Sequence, residues 1–325
     1  MPRRGDQWLI YALGGGWGHL TRAVALARAA ESRHRVRILT NSPYAARIAC
    51  VIPELNLVVL DSSLGAQATR HRVKDEIGAA QADCLIVDTF PRGLGGELAA
   101  VFETLQAAKV LVHRDLSPRY VRAAALREFV RTKYRLVLIP GETEAGAFAD
   151  LPAAVVTRPW LVRDPRSMVM PGKTILVCAS GNPEELSWYG AVVECLLKRD
   201  PKLDVRCVAP ACPPACPPPL WINHWPAMDL YSESGVVIGS AGYNTIHECE
   251  ACHVPLIARP WPRLYDRQWL RARRAAKQRR VIIVKTPSEA AEAAVRELKR
   301  ERSPTAREFH NGARDAVALI EQVTN

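Results

Sequence analysis

No window of the 325-residue chain holds the roughly 18 uninterrupted apolar residues that a membrane-spanning helix needs, which excludes an integral membrane protein. The opening MPRRGDQWLIYALGGG puts basic residues before an apolar run. That run ends in glycines without a small-residue cleavage pattern, so a buried first strand is expected rather than a secretory leader. No D-x-D occurs to hold a divalent cation on a diphosphate, and no tandem repeat of short period is present. Only PACPPACPPP is of low complexity. The nine cysteines cannot all pair and are scattered among strand-like and helix-like segments, which points to reduced thiols in a cytosol. Cys249 and Cys252 form a C-x-x-C, with Cys212, Cys216, His224, His247 and His253 also available to zinc. Their irregular spacing favours packed or surface thiols over a metal site.

Acid is short relative to base: 33 Asp and Glu stand against 44 Lys and Arg, a formal charge of +11. The excess gathers in RARRAAKQRR (271–280) and SPRYVRAAALREFVRTKYR (117–135), and neither carries a nucleic-acid-binding motif, so no nucleic acid is expected. An anionic substrate, an anionic membrane surface met by a basic helix at 118–135, and two solvated helix faces remain as readings.

Hydrophobic residues make up 48% of the chain, and its length suits two domains of about 100 to 200 residues each. Short apolar runs (WLIYAL, RVRIL, NLVVL, CLIVD, KVLVH, RLVLI) alternate with helix-like segments at 20–31, 43–52, 92–107 and 119–131. Such alternation predicts a parallel sheet covered on both faces. The pattern lapses over VVTRPWLVRDPRSMVMPGK (155–173) and restarts with TILVCAS, LDVRCVA, PLWIN, GVVIGS, VPLIA and RVIIV. The expected organisation is an α/β protein of two Rossmann-like doubly wound domains: 1–157, a linker at 158–172, 173–302, and a terminal helix at 303–325. Phe309, Ala313, Ala316, Val317 and Ile320 form the apolar side of that helix, which suits either domain. Ligands of two such sheets gather at the carboxyl ends of the strands, in a cleft between the domains.

Two glycine-rich turns follow strands. GGGWGHLTR (14–22) is not a dinucleotide fingerprint: His19 replaces the third glycine, and RVRILTN ends without the acid that holds a ribose. PGKT (171–174) is not a P-loop, since Ser167 stands where the first glycine belongs and the strand comes after it. Gly14, Gly15, Gly16 and Gly18 allow close approach of backbone to a ligand at a helix N-terminus. There His19 serves as a base, as a donor to an anion, or as a packed cap. In the second half SAGYNTIHE (240–248) ends a strand and opens a helix; a diphosphate at Ser240 to Asn244 and a ribose on Glu248 is one reading, a capped turn the other.

Together GGGWGHLTR, SAGYNTIHE and YDRQ (265–268), in this order across both halves, resemble the GT-B nucleotide-sugar glycosyltransferases of the MurG type. That resemblance implies transfer of a sugar from a UDP-sugar such as UDP-N-acetylglucosamine to a hydroxyl, with an anionic or lipid-linked acceptor. It implies no cofactor beyond the nucleotide sugar, and a cytoplasmic protein that touches the membrane at most peripherally. It places Gly15, Gly18 and His19 near acceptor and donor phosphates, Gly242, Asn244 and Thr245 at the diphosphate, and Glu248 on the ribose. Asp266 and Gln268 would contact the donor sugar, while Ser180, Gly181 and Asn182 of CASGNPEE (178–185) occupy the glycine-rich loop opening the second domain and depart from the MurG pattern. The G-x-G-H-x-x-R of Gly16, Gly18, His19 and Arg22, with CLIVD ending at Asp88 and KVLVHRDL, is also similar to nucleotide-sugar hydrolases of the PseG type, making Asp88 a second catalytic candidate. Inverting transfer then needs His19 or Asp88 as base and the helix N-terminus at Gly242 to Thr245, rather than a metal, on the leaving diphosphate. Hydrolysis of the nucleotide sugar, or its binding without chemistry, are the alternatives.

Overall fold

The computed structural model describes residues 6–141, 146–165, 168–169, 172–278, 281–300, 305–306 and 309–324. Of the segments singled out above, 166, 167, 170 and 171 of the linker and P-loop-like stretch lie outside the described residues. So do Arg279 and Arg280 of the basic run and 303, 304, 307, 308 and 325 of the tail. The chain forms two compact units, one of residues 1–163 with 310–325, the other of residues 164–309.

The first unit is a seven-stranded parallel sheet. In chain order it runs β1 (Gln7–Tyr11), α1 (Trp17–Ala30), β2 (Arg35–Thr40), α2 (Ala45–Val51), β3 (Asn56–Val59), α3 (Ala66–Ala80) and β4 (Cys84–Asp88). It continues through α4 (Leu98–Thr104), β5 (Ala108–Val112), α5 (Pro118–Ala123), α6 (Leu126–Lys133), β6 (Leu136–Pro140) and β7 (Ala154–Thr157). The strand order β3-β2-β1-β4-β5-β6-β7 reverses direction between β1 and β4. β1, β4, β5 and β6 are buried almost throughout, as the continuous apolar runs of a doubly covered parallel sheet require.

The second unit contains a short antiparallel pair, β8 (Met168–Val169) with a strand at Thr305–Ala306, and a six-stranded parallel sheet. That sheet is built from β9 (Thr174–Cys178), α7 (Pro183–Arg199), β10 (Val205–Val208), β11 (Trp221–Ile222), β12 (Ser234–Ser240), α8 (Tyr243–Ala251), β13 (Leu256–Arg259), α9 (Gln268–Lys277), β14 (Val281–Ile283) and α10 (Pro287–Leu298). Its order β11-β10-β9-β12-β13-β14 reverses between β9 and β12. Ile175, Val177, Val236, Ile238 and Ile257 pack with Val192, Val193 and Leu196 of α7 in one core.

The pair strand at 305–306 is β15, and α11 (Gly312–Thr324) closes the chain. Ala313, Ala316, Val317 and Ile320 of α11 are buried, and the helix packs on α1 in the first unit. Asn311 fixes the approach: its side chain accepts from the Leu161 N–H at 3.1 Å and donates to the Leu161 carbonyl at 2.8 Å.

The boundaries differ from expectation in three places, the first being the terminal helix expected at 303–325, which is a strand at 305–306 and helical only from Gly312. Residues 155–157 extend the sheet as part of β7, and 158–163 belong to the first unit: Trp160, Leu161 and Val162 are buried, with Trp160 Nε1 donating to Thr157 Oγ1 at 3.0 Å. Apolar content, which the prolines obscure, anchors this stretch. The expected single helix at 118–135 is two helices, broken where Ala125 takes φ +46°. The apolar stripe of α6 faces inward: Leu126, Phe129 and Val130 are buried, and Phe129 stacks on Phe102 with ring centroids 5.8 Å apart. That stripe is core, which removes the reason to seat it on a membrane. No helix among the described residues is long and apolar enough to cross one.

Candidate active site

Each sheet changes direction once, and the loops leaving the two strands at such a point diverge to open a crevice at their carboxyl ends. In the first unit these loops follow β1 and β4 and carry GGGWGH and Asp88. In the second they follow β9 and β12 and carry CASGN and SAGYN.

After β1 the backbone turns at Gly14, whose φ of +148° suits a residue without a side chain. Its N–H donates to Asn41 Oδ1 at 2.8 Å, tying the turn to the end of β2. A Cβ at Gly14 would lie 2.5 Å from Cδ2 of His19, so this glycine makes room for the imidazole. Gly15 and Gly16 are exposed, and a Cβ on either meets nothing within 4 Å; one on Gly18 would sit 3.5 Å from the Arg114 guanidinium. The glycine that the histidine requires is therefore Gly14. Alanine there is expected to push the ring out of register with Asp88 and, for the sugar transfer that the motifs imply, to lower turnover about 100-fold with nucleotide affinity unchanged, as steady-state kinetics beside calorimetry would show.

His19 Nδ1 lies 2.5 Å from Asp88 Oδ2. Since an ionised carboxylate only accepts, Nδ1 carries the proton, and Nε2 makes no hydrogen bond among the described residues. Arg22, one turn further along α1, grips the same carboxylate through Nε to Oδ1 at 2.8 Å and Nη2 to Oδ2 at 2.7 Å. Thr89 completes the shell: its hydroxyl donates to Asp88 Oδ2 at 3.1 Å and accepts from Arg22 Nη2 at 3.2 Å. This β-branched residue holds φ +71°, a conformation that surrounding contacts must impose and that clusters at functional sites. Phe90 stacks on the imidazole with centroids 5.5 Å apart.

Burial disfavours the charged form of both titrating groups here, with different results. The His19 imidazole titrates below its ordinary value because desolvation outweighs the pull of Asp88. For Asp88 desolvation acts upward, but the Arg22 charge and the His19 hydrogen bond overcome it and bring the carboxyl down to about 2. Of the two candidate bases, then, Asp88 is engaged on both oxygens and too weakly basic to take a proton near neutrality. It orients His19, whose Nε2 is the nitrogen left able to accept a proton.

In the second unit, Gly181 takes φ +112°, and a Cβ there would lie 2.0 Å from Glu185 Oε2. Asn182 caps α7 by accepting from the Glu185 N–H at 2.9 Å, so its side-chain oxygen is already engaged. The buried Glu185 carboxylate forks onto Arg263, with Nη2 to Oε2 at 2.7 Å. Sequence reasoning missed this pair; Glu185 at the third position of a capped helix was the signal available.

Gly242 is the N-cap of α8 and offers no side chain to its first-turn N–H groups, which leaves an uncapped positive end at Gly242 to Thr245. One turn in, Glu248 is buried, and its carboxyl has no hydrogen-bond or ion-pair partner among the described residues. Desolvation, with a smaller push from Asp229, raises it to about 7. Arg271 joins this loop to the YDRQ segment, donating to Asp266 Oδ1 at 2.8 Å and to the Ala241 carbonyl at 3.4 Å. Gln268 is buried and accepts from the Trp261 N–H at 3.0 Å. The structure thus brings Gly242 and Asp266 to one end of the sheet and links Gly181 to the segment before YDRQ through Arg263. Among the described residues no three His, Cys, Asp or Glu side chains gather as a metal site requires. Cys249 and Cys252 are buried in α8 and its cap.

No protein-family model and no curated sequence matches the chain. Solved structures do. The glycosyltransferase SnogD from Streptomyces nogalater superposes with a TM-score of 0.64 at 13% identity, covering 99% of this chain and 100% of that one. The fold is that of the GT-B glycosyltransferases. The Streptomyces sp. SF2575 glycosyltransferase SsfS6 complexed with thymidine diphosphate gives 0.61 at 14% identity, over 98% of this chain and 99% of that one. The same architecture serves other chemistry, for the UDP-GlcNAc 2-epimerase from Methanocaldococcus jannaschii gives 0.60 at 11% identity, over 97% and 99%.

Proposed function

We propose that the protein is an inverting glycosyltransferase that uses a nucleotide sugar, a UDP-sugar such as UDP-N-acetylglucosamine by its MurG-like motifs. The observation that carries this reading is His19, oriented through Nδ1 by an ionised Asp88 and left with Nε2 as its basic nitrogen. Nε2 takes the proton of the acceptor hydroxyl while that oxygen forms a bond to the anomeric carbon of the donor. The bond from that carbon to the diphosphate breaks, and its electron pair leaves with the diphosphate. The uncapped end of α8 at Gly242, Asn244 and Thr245 receives the developing charge, Ser240 lines the same turn, and Glu248 accepts the ribose hydroxyls. Asp266, Gln268 and the Ser180 to Asn182 loop contact the donor, and Gly15 and Gly18 belong to the acceptor loop of the first unit. On this reading the end of α8 holds the leaving diphosphate in place of a metal ion, with no cofactor beyond the nucleotide sugar. The acceptor is an anionic or lipid-linked alcohol, in keeping with the charge of +11.

The same base acting on water would make a hydrolase. The test is a thermal-shift screen of UDP, dTDP, GDP and their sugar conjugates, followed by product analysis with and without alcohol acceptors in EDTA. Stabilisation by a UDP-sugar and acceptor-dependent transfer in EDTA are expected. UDP release without acceptor assigns the hydrolase, binding without turnover a non-catalytic binder, and C2 inversion of the intact donor an epimerase. Activity lost in EDTA and restored by magnesium or manganese overturns metal independence.

A further inference from the structure

We propose that Arg22 is a positioning residue that balances the charge of Asp88, so that His19 rests as a neutral imidazole while still being held by the carboxylate. The inference rests on the reading of His19 as base and concerns a residue that touches neither substrate nor the reacting atoms. Arg22 is 1% exposed, the most deeply buried charged side chain near the site, and its fork occupies both oxygens of an Asp88 that is itself 2% exposed. Removing a guanidinium and a carboxylate from water is costly unless the two meet with good geometry, which the bidentate fork supplies.

The dyad alone would be poorly suited to its task. A buried carboxylate with no other cation beside it would draw a proton onto the pair, and a protonated pair cannot accept one from an alcohol. With Arg22 in place the imidazole abuts an ion pair of zero net charge. The hydrogen bond from Nδ1 keeps its direction, and the electrostatic pull toward imidazolium is largely cancelled. The charged groups facing His19 are Asp88 at the end of β4, Arg22 on its own helix, and Arg114 after β5. Both arginines act against protonation, Asp88 alone acts for it, and Arg22 is the one fixed on Asp88. Spacing supports the assignment: His19 and Arg22 are three residues apart on α1, so one helix face delivers both to the same carboxylate.

The experiment compares Arg22→Met, Arg22→Lys and the double variant Arg22→Met with Asp88→Asn. In each, the His19 imidazole is titrated by nitrogen-15 NMR, assigned against His19→Gln, and the acid limb of kcat/KM is recorded. Arg22→Met is expected to raise the pH at which the His19 and Asp88 pair takes up a proton by one unit or more, and to move the acid limb with it. Arg22→Lys, which keeps the charge, should leave both near their original position. The double variant, free of either charge, should bring the titration back down and serves if Arg22→Met alone fails to fold. An unmoved titration in folded Arg22→Met, or one that moves equally in Arg22→Lys, overturns the proposal; a structural role would lower activity evenly at all pH values. Because the NMR titration needs no substrate, a shifted titration in a protein that transfers no sugar leaves Arg22 in its role and removes the glycosyltransferase reading.

Discussion

Alanine at position 19 is expected to lower sugar transfer by about 10²- to 10⁴-fold while UDP affinity, assigned by the proposal to the second unit, stays within twofold of the starting value. The loss belongs in kcat, since the imidazole acts on the proton that moves as the acceptor oxygen attacks. Asp88→Asn should fall in the same range for another reason: an amide can accept from Nδ1–H or donate to the ring, and only the first leaves Nε2 basic. Steady-state kinetics with a saturating donor, together with calorimetry of UDP binding, checks both. Normal turnover in His19→Ala removes the base from His19.

The second large effect is at Glu248, where binding and stability are expected to move in opposite directions. A carboxylate accepting two ribose hydroxyls contributes about 1.5 to 3 kcal/mol, so Glu248→Ala should weaken UDP binding about 10- to 100-fold. With the carboxyl raised to about 7, affinity should climb as pH rises through neutrality, because the ionised form accepts from both hydroxyls. Stability runs the other way. A carboxyl whose folded value lies above its unfolded one favours folding below the unfolded value, and that contribution is lost as pH rises through about 7. At pH 8 the nucleotide-free protein therefore carries a buried carboxylate without a partner. Glu248→Gln should then melt higher than the parent, by a few degrees for roughly 2 kcal/mol, while binding UDP more weakly. Calorimetric titrations at pH 6 and 8 and melting curves of both proteins test the pair of signs. Unchanged UDP affinity in Glu248→Ala removes the ribose assignment.

The alternation of apolar runs with helix-length segments made both parallel sheets legible, because strands buried on two faces leave short continuous hydrophobic segments bounded by turns. The helix α3 was not legible: of its fifteen residues only Val73, Ile77 and Ala80 are buried, too thin a stripe to announce itself among charged neighbours. The break at Ala125 was hidden for a different reason, since nothing in RAAALRE marks a left-handed residue. At the site, GGGWGH pointed to His19 through its glycines, but their count concealed which one matters. Gly14 is required by the position of a ring five residues later, and that relation exists only once α1 has formed. The joining of His19, Arg22 and Asp88 likewise depends on β1 and β4 lying side by side across 60 or more residues of chain, which no local pattern encodes. Glu185 and Arg263, 78 positions apart, are of the same kind.

The chain leaves its first unit after Arg163 and returns at His310 to lay α11 on α1. In topological terms residues 164–309 are a guest inserted into the host that carries His19 and Asp88. The host is therefore discontinuous in sequence, and its α1 face is covered only once α11 is in place. The guest is contiguous, and residues 164–309 are the segment to express by itself to test whether the proposed nucleotide site lies within it.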